Sequence, residues 1–218
     1  MQYSDYRVER KFSFGKSKEN ELYNFLLLNN FNKTFENRIV NSIYLDTCNF
    51  DNALDNINGV SNRKKLRMRW YNNDLNNLSF ETKKKNNFCV LKKITKIKTK
   101  INKQNYITEL NKEFKNKFKK KLLFNYNLVL LVSYTRKYLV SSNKKIRATI
   151  DYNIKAKSIN AENISINLND TILEFKFLPE NEKYFRDFFN KRKFNFRVQK
   201  FSKYVKAFLI LQDNGLIR

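Results

Sequence analysis

The segment LRMRWYNNDLNNLSFETKK, residues 66–84, contains two stretches in which charged and apolar side chains alternate. In the first stretch Arg67 and Arg69 occupy every second position between apolar residues, and in the second Glu81 and Lys83 lie on the face opposite Phe80. Because successive side chains of a strand point to opposite faces, the pattern predicts two β-strands, each with one charged face and one apolar face.

The same alternation recurs along the chain and predicts at least six strands, many of them adjacent in sequence. This favours a largely antiparallel sheet or barrel in an α+β protein. The predicted strands cover residues 6–14, 40–45, 64–71, 78–84, 128–140, 145–154 and 171–177. Apolar residues at helical spacing predict helical segments over residues 16–30, 92–121, 180–190 and 203–212, and a short helix or turn over residues 49–58.

An ordinary exposed sheet face is the commoner cause of such alternation, and it favours Thr, Ser, Gln and mixed charges. In this chain, by contrast, the polar faces carry Arg, Lys and Glu in strand after strand. If the apolar faces pack against helices, the charged faces converge inside a closed barrel. A lumen lined by cations and a few glutamates would bind a polyanion together with a divalent metal ion.

The composition excludes several kinds of chemistry. The 218 residues include 45 Lys plus Arg, 20 Asp plus Glu and no His, which gives a net charge of +25. Without histidine, a Ser-His-Asp or Cys-His catalytic group and a His zinc site are impossible. The hydrophobic content of 41% suffices for a core, and the length and the lack of Gly- or Pro-rich linkers predict a single domain over residues 1–218.

Two cysteines, Cys48 and Cys89, are too few for a disulfide framework and fit a reducing compartment. The N-terminus lacks the apolar region of a secretory signal, and the most apolar stretch, residues 122–140, is interrupted by polar and charged residues. We therefore expect a soluble, cytoplasmic protein without a membrane span. A/T-rich codons encode many of its residues, so coding bias explains part of the positive charge.

Seven segments together resemble the VTC domain, a branch of the triphosphate tunnel metalloenzymes, the superfamily that also holds the CYTH phosphatases. They are YRVERKF, SIYLDTCNFDNALDNINGVSNRKKLRMRWY, FETK, SYTRKYLV, KIRATIDYNI, LEFKF and VQKFSKYV, in the family's order from residue 6 to about 205. The resemblance implies a closed antiparallel eight-stranded tunnel with helices outside, triphosphate or polyphosphate substrates, and dependence on Mn²⁺ or Mg²⁺. The superfamily's Glu-x-Glu-x-Lys signature has Arg7 in place of its first glutamate, as in the VTC branch.

The resemblance also implies roles for individual residues. It places cations that act on the transferred phosphates at Lys11, Arg67, Arg69, Lys83, Arg136, Arg147 and Lys203. Further substrate contacts fall at Arg7, Tyr134, Lys200 and Ser202, and at Lys92 or Lys93. Glu174 matches the metal-binding glutamate, assisted by Glu9 or Glu81; for the latter two, a structural ion pair to a neighbouring arginine is an equal alternative.

The activity expected from this resemblance is phosphoryl transfer from ATP to a growing polyphosphate chain. Positioning and electrostatic stabilisation carry such a reaction, and an ionised phosphate acceptor needs no histidine base. Hydrolysis of a triphosphate differs only in that water is the acceptor, and a non-catalytic polyphosphate- or RNA-binding module is a further alternative. We expect ATP and polyphosphate as ligands and no specific nucleic acid, because the aromatic residues mostly fall on apolar faces.

Overall fold

The computed structural model describes residues 7–86, 89–101, 104–118, 125–161, 163–190 and 197–217, which form an α+β fold. Its strands are β1 (Val8–Gly15), β2 (Phe31–Asp46), β3 (Asn62–Tyr71), β4 (Asp74–Asn86), β5 (Cys89–Lys98), β6 (Asn127–Ser141), β7 (Ile146–Ser158), β8 (Ile166–Leu168) and β9 (Asp170–Phe177). Its helices are α1 (Glu19–Leu28), α2 (Asp51–Ile57), α3 (Tyr106–Phe118), α4 (Glu182–Asn190) and α5 (Lys203–Asp213).

The strands form a large sheet in the hydrogen-bonded order β1-β9-β7-β6-β2-β3-β4-β5, and the short β8 pairs with β7 outside this order. The ladders β1–β9, β7–β9, β2–β3, β3–β4 and β4–β5 are antiparallel, as the sequence predicted. Within the described ranges, no ladder joins the terminal strands β1 and β5. Closure of the sheet into an eight-stranded barrel is therefore not found here.

The chain divides into two compact units, and strands β2, β6 and β7 each contribute to both. The first unit comprises the residues up to Ile39, together with Tyr134–Ile154 and Leu168–Phe201. The second comprises Val40–Ser133, Lys155–Asn167 and the residues from Ser202 onward. The single domain expected from the sequence stays a prediction.

In the first unit the apolar faces of β1, β7 and β9 pack against α1 and α4. Phe12, Leu173 and Phe175 of the sheet are fully buried with Leu22 of α1 and Phe185 of α4. The ring of Phe175 makes an edge contact with that of Phe185, with centroids 5.4 Å apart. The opposite faces of these strands are left for polar side chains.

In the second unit the apolar faces of β3 and β4 pack against α3. Leu66 and Met68 of β3 and Phe80 of β4 are buried with Leu110 and Phe114 of the helix. Since Arg67 and Arg69 alternate with these core positions, they lie on the other face. The packing of apolar strand faces against helices, as the sequence analysis supposed, is confirmed in each unit.

The helical prediction over residues 92–121 is wrong in its first part, because residues 92–98 belong to β5. Ile94, Ile97 and Ile101 have helical spacing, but β5 pairs with β4 along its whole length, which leaves Ile97 buried and Ile94 exposed. Helix α3 begins at Tyr106. Two parts of the predicted elements lie outside the described residues: residues 119–121 at the end of this helix, and Tyr6 at the start of the first strand.

Strand β2 begins nine residues before the predicted strand, at Phe31. Residues 32–39 are exposed on both faces, so they show no periodicity of burial that a sequence pattern could reveal. Strand β8 was also not predicted. The other predicted strands and helices occur in the structure with bounds that shift by up to four residues.

Candidate functional site

The arginine face of the second unit lies on β3, between β2 and β4. Arg67 stands directly opposite Glu81 of β4, and Arg69 stands opposite Ser42 of β2. These registers place both arginines and the glutamate on the polar face that the sequence alternation predicted.

Glu81 is the centre of this face and is almost fully buried. Its Oε2 accepts hydrogen bonds from Nε and Nη2 of Arg67 at 2.8 and 2.5 Å, and Lys92 Nζ lies 3.2 Å from the same oxygen. Nη1 of Arg69 lies 3.9 Å from Oε1. The structure therefore forms the ion pair with neighbouring arginines that the sequence left open as the alternative role of Glu81.

The charges around Glu81 lower its pKa. Burial would raise the pKa, but the positive charges of Arg67, Arg69 and Lys92 outweigh it and bring the value from 4.5 to about 2. Because the pKa in the folded state is the lower one, the ionised carboxylate stabilises the fold above pH 4.5. This stabilisation is lost as the pH falls from 4.5 towards 2.

We expect Glu81→Gln to lower the free energy of unfolding by about 3 kcal/mol at pH 7, because 2.5 pKa units correspond to that amount. At pH 2.5 the difference from the wild type should shrink to about 1 kcal/mol, since the wild-type carboxylate is then partly protonated. Urea unfolding across this pH range measures both. Glu36→Gln, in the exposed pair with Lys33, is the control and should change stability by less than about 0.5 kcal/mol. A difference independent of pH would contradict the role of the Glu81 charge.

Of the two alternatives Lys92 and Lys93, the structure places Lys92 on the face of Glu81. Lys92 stands opposite Lys83 of β4, whereas Lys93 stands opposite Thr82, whose side chain points to the other face. Burial and the charges of Arg67 and Arg69 lower the pKa of Lys92, although Glu81 opposes this shift.

Residues at the start of α5 complete the predicted set in the second unit. Ser202 is the N-cap of α5, where its hydroxyl accepts a hydrogen bond from Val205 N at 3.4 Å. The same hydroxyl accepts a hydrogen bond from Lys65 Nζ at 2.9 Å, and Lys203, the first residue of the helix, is half-buried. Ser202 thus has a structural role that the sequence analysis did not assign to it.

The polar face of the first unit lies on β1, β9 and β7. Glu174 of β9 stands opposite Lys11 of β1 and Thr149 of β7. Lys176, the next residue on the same face of β9, stands opposite Glu9 and Arg147. This alternation brings four of the predicted site residues together: Glu9, Lys11, Arg147 and Glu174.

Lysines pair with the two glutamates of this face, and Lys176 bridges them. Lys176 Nζ lies 2.9 Å from Oε1 of Glu174 and 3.7 Å from Oε1 of Glu9. Lys11 Nζ lies 4.0 Å from Oε2 of Glu174 and donates to the carbonyl oxygen of Phe201 at 3.5 Å. Lys176, for which the sequence predicted no role, is therefore part of this site.

Arg136 is held by a buried carboxylate that the sequence analysis did not pair with it. Its Nε and Nη2 donate to the two oxygens of Asp151 at 2.5 and 2.7 Å. Burial disfavours the guanidinium charge, but Asp151 more than offsets this, so the pKa of Arg136 is raised. The guanidinium also lies 5.3 Å from the ring centroid of Tyr134. Asp151 thus occupies one side of the guanidinium that the resemblance assigned to phosphate binding, and any contact with substrate must use the remaining N–H groups.

Arg7, Arg147 and Lys200 are exposed in the structure. Arg147 shares the polar face of β7 with Thr149, whereas Arg7 precedes β1 and Lys200 precedes α5. Exposure leaves these cations accessible to an anion, without fixing their side chains.

Asp46, in the SIYLDT segment, is a buried carboxylate that sequence reasoning missed. Its oxygens accept hydrogen bonds from the backbone N–H groups of Thr47, Asn52 and Ala53, and from the side-chain amide of Asn52, at 2.8 to 2.9 Å. The hydroxyl of Tyr204 also donates to it. Asp46 thereby joins the end of β2, the start of α2 and the helix α5.

Glu9 and Glu174 are the carboxylates of the first-unit face that could bind a divalent cation. Across the part of the chain that the structure describes, no group of three or more Asp, Glu, Cys or His side chains could hold a metal. Mg²⁺, however, is usually bound by one or two carboxylates together with water and phosphate. Glu9 and Glu174 both contact Lys176 Nζ, at 3.7 and 2.9 Å, and the buried hydroxyl of Thr149, opposite Glu174, has no hydrogen-bond partner among the described residues.

Comparison with known families gives a match to the model of the VTC domain over residues 7–212. The chain belongs to the VTC domain family. As a VTC member it falls among the CYTH-like triphosphate tunnel proteins that act on triphosphates, and this family typically uses divalent metal ions. The match confirms the family that the sequence segments suggested. None of the curated protein sequences matches the chain.

Solved structures of the same fold include a protein of Pyrococcus horikoshii OT3, which has 16% identity, a TM-score of 0.57 and coverage of 95% of this chain and 99% of that one. Another is a candidate adenylyl cyclase from Hippeastrum with a dominant triphosphatase activity. It has 12% identity, a TM-score of 0.55 and coverage of 98% of each chain. Over the described residues, no helix is both long and apolar enough to cross a membrane.

Proposed function

We propose that this VTC domain catalyses metal-dependent phosphoryl transfer from ATP to the end of a polyphosphate chain. The observation that carries the proposal is the polar face of the first unit, where Glu9 and Glu174 lie among Lys11 and Lys176. Carboxylates for a hard cation beside ammonium groups for phosphate oxygens are what phosphoryl transfer requires of a protein. Closure of the sheet into a tunnel, which the family implies, is part of this proposal.

In the reaction, the bond between the terminal phosphorus of ATP and its bridging oxygen breaks, and ADP leaves. A new bond joins that phosphorus to a terminal oxygen of the chain, which is already ionised and needs no general base. Bound Mn²⁺ or Mg²⁺ would neutralise charge on the phosphate oxygens, and Glu174 with Glu9 would hold it.

The cations of the protein bind and orient the phosphates. In this proposal Lys11 and Arg147 bind phosphate oxygens at the first-unit face. Lys83, Lys92 and Lys203 supply point charges in the second unit. Glu81 orients Arg67, and Arg69 donates to Ser42 at 3.0 Å and lies near Glu81, so in our proposal Glu81 orients arginines and does not bind metal. A guanidinium oriented before the substrate arrives loses less conformational entropy on binding.

Hydrolysis of a triphosphate is the second candidate, because the same residues would serve with water as the acceptor. The triphosphatase activity of the Hippeastrum protein indicates that this fold can host hydrolysis, although a shared fold does not by itself transfer an activity.

The proposal is tested by incubating the purified chain with ATP and Mn²⁺ and following ADP, orthophosphate and long anionic chains on a gel, with an EDTA-treated sample as control. We expect ADP and long chains, both dependent on the metal. Orthophosphate without chains would replace polymerisation by hydrolysis. Absence of turnover with tight polyphosphate binding would contradict both and leave a binding module.

A further inference from the structure

Two aromatic rings and a guanidinium lie in contact on the first half of β2 and on β6. The rings of Phe35 and Tyr138 make an edge contact with centroids 5.8 Å apart. The guanidinium carbon of Arg38 lies 5.2 Å from the centroid of Phe35 and 5.9 Å from that of Tyr138. We call these three residues the aromatic cluster, and all of them belong to the first unit.

The aromatic cluster is open to solvent. Phe35 is 55% exposed, Arg38 is exposed and Tyr138 is half-buried, so neither ring belongs to the buried core. Within the described residues, β3 pairs with β2 only from Val40 onward and leaves the first half of β2 uncovered on that side. Contacts between an exposed ring and a cation add little to stability, so the fold gains little from this arrangement.

Arg38 is oriented by the two rings. Glu36, the acidic residue nearest to it in sequence, pairs with Lys33 instead, and among the described residues Arg38 forms no ion pair. A guanidinium is planar, and its faces stack on aromatic rings. The aromatic cluster therefore offers a ligand two kinds of flat surface, a ring and a cationic plane.

The aromatic cluster is continuous with the polar face of the first unit. Arg136 lies 6.0 Å from the ring centroid of Tyr138, and the two residues share one face of β6 because they are two positions apart. Arg136 binds Asp151 of β7, which for the same reason shares its face with Thr149. Thr149 stands opposite Glu174. The polar face therefore extends from the glutamate of the proposed metal site across β7 and β6 to the aromatic cluster.

A nucleoside triphosphate combines the two groups that this surface can bind. Nucleobases stack on aromatic rings and on arginine guanidinium planes, whereas phosphate oxygens bind the cations of the polar face. Steps of 6.0 and 5.8 Å lead from Arg136 through Tyr138 to Phe35. In an extended nucleotide the base and the outer phosphates are separated by a comparable length, so one molecule can contact both places.

We propose that the aromatic cluster is a nucleobase site, on which the adenine of ATP stacks while its phosphates lie on the polar face. This inference rests on the proposed function and concerns its donor: a nucleoside triphosphate is recognised by its base, whereas inorganic phosphates have no group that stacks on a ring. Single-stranded RNA is disfavoured, because its sites provide aromatic rings for successive bases. Of the two rings of the cluster, only that of Phe35 is largely exposed.

The test compares ATP and tripolyphosphate in calorimetric binding to the full chain in EDTA, so that neither ligand is turned over by a metal-dependent reaction. We expect Phe35→Ala to weaken ATP binding about 5- to 50-fold, the effect of removing one stacking ring, and to leave tripolyphosphate binding unchanged. Phe35→Trp keeps a stacking ring and should retain the affinity for ATP. The matched control is Tyr184→Ala, which removes another exposed ring of the first unit that contacts a lysine, Lys145, and should leave both affinities unchanged.

Several results would overturn the proposal. They are no binding of ATP to the wild type, wild-type ATP affinity in Phe35→Ala, an equal loss for both ligands, and the same loss in Phe35→Trp or in Tyr184→Ala. Tighter binding of a single-stranded RNA than of ATP, lost in Phe35→Ala, would also overturn it. The readout is independent of catalysis. A selective loss of ATP binding supports the nucleobase site even if no polyphosphate is formed, and chain synthesis with unchanged ATP affinity in Phe35→Ala refutes the nucleobase site alone.

Arg38→Lys separates stacking from charge. Lysine keeps the positive charge but lacks the planar guanidinium, so the affinity for ATP should fall about threefold while that for tripolyphosphate stays unchanged. In the wild type ATP should bind more tightly than UTP, because a purine stacks over a larger area than a pyrimidine. Wild-type ATP affinity in Arg38→Lys would contradict the part of Arg38 in the site, and equal affinities for ATP and UTP would contradict stacking of the base.

Discussion

Glu174→Gln is expected to lower metal-dependent turnover at least about 100-fold, because even the residues behind metal ligands cost 10- to 100-fold when changed. Glu174 is nearly buried and lies between Lys11 and Lys176. The amide keeps the shape of the side chain but loses the charge that attracts a cation. Binding of polyphosphate in EDTA should persist or strengthen, since the two lysines then lose their carboxylate partner.

Two measurements accompany the turnover assay. Titration with Mn²⁺ in the absence of ATP should show weaker binding in the variant, and urea unfolding should show that the protein remains folded. The matched control is Glu180→Gln, which changes an exposed glutamate in the first unit and should leave turnover unchanged. Wild-type turnover and wild-type Mn²⁺ affinity in Glu174→Gln would refute the metal site.

The sequence predicted the polar faces well because they depend on local alternation. In β3, Leu66 and Met68 are buried while Arg67 lies on the opposite face, as period two requires. Helix α5 was also predicted correctly from its apolar face. Where every second residue of a strand must be buried, the residues between them have to lie on the opposite face.

Features that depend on pairing could not be predicted. Ile94 and Ile97 match a helix by spacing, and what makes them part of a strand is hydrogen bonding to β4. The pair of Arg136 with Asp151 joins residues 15 positions apart, so it follows from the register of two strands. The alternation marks Arg136 as a cation of a polar face, but it does not reveal the carboxylate that holds it, whereas an ion pair of Glu81 to a neighbouring arginine was one of two roles left open.

The missed role of Asp46 has a similar cause. Its five hydrogen bonds come from Thr47, Asn52, Ala53 and Tyr204, of which Tyr204 is far away in sequence. An aspartate after a strand is ordinarily the first residue of a turn, and such a residue is expected to be exposed. Its complete burial becomes apparent from the packing of α5 against the end of β2 and the start of α2.

Asp46→Asn is expected to lower the free energy of unfolding by about 3 kcal/mol, because hydrogen bonds to an ionised acceptor are worth about 1.5 to 3 kcal/mol each and at least one of them is lost. In the wild type both carboxylate oxygens accept hydrogen bonds from N–H groups. An asparagine presents an NH₂ group at one of these positions, where it faces another donor. At least one buried N–H group is then left unsatisfied.

Tyr204→Phe separates the contributions at this site. It removes the hydroxyl that donates to Asp46 and keeps the ring, which stacks on Tyr44 with centroids 4.7 Å apart. The expected loss is about 1 to 2 kcal/mol, smaller than that of Asp46→Asn, because the backbone N–H groups keep their acceptor. Burial and the adjacent Asp46 raise the pKa of Tyr204, so the hydroxyl stays protonated and donates throughout the neutral range.

Urea unfolding at pH 7 measures both variants, and their double variant gives the coupling between the two side chains. Because the two groups are in direct contact, the combined loss should be smaller than the sum of the single losses. Strict additivity, or a loss below about 1 kcal/mol for Asp46→Asn, would show that this carboxylate does not hold α2 and α5 to the end of β2.

The arginine face includes Arg67 and Arg69 on β3, which pairs with that part of β2. A destabilised Asp46 variant should therefore also bind phosphate chains less tightly.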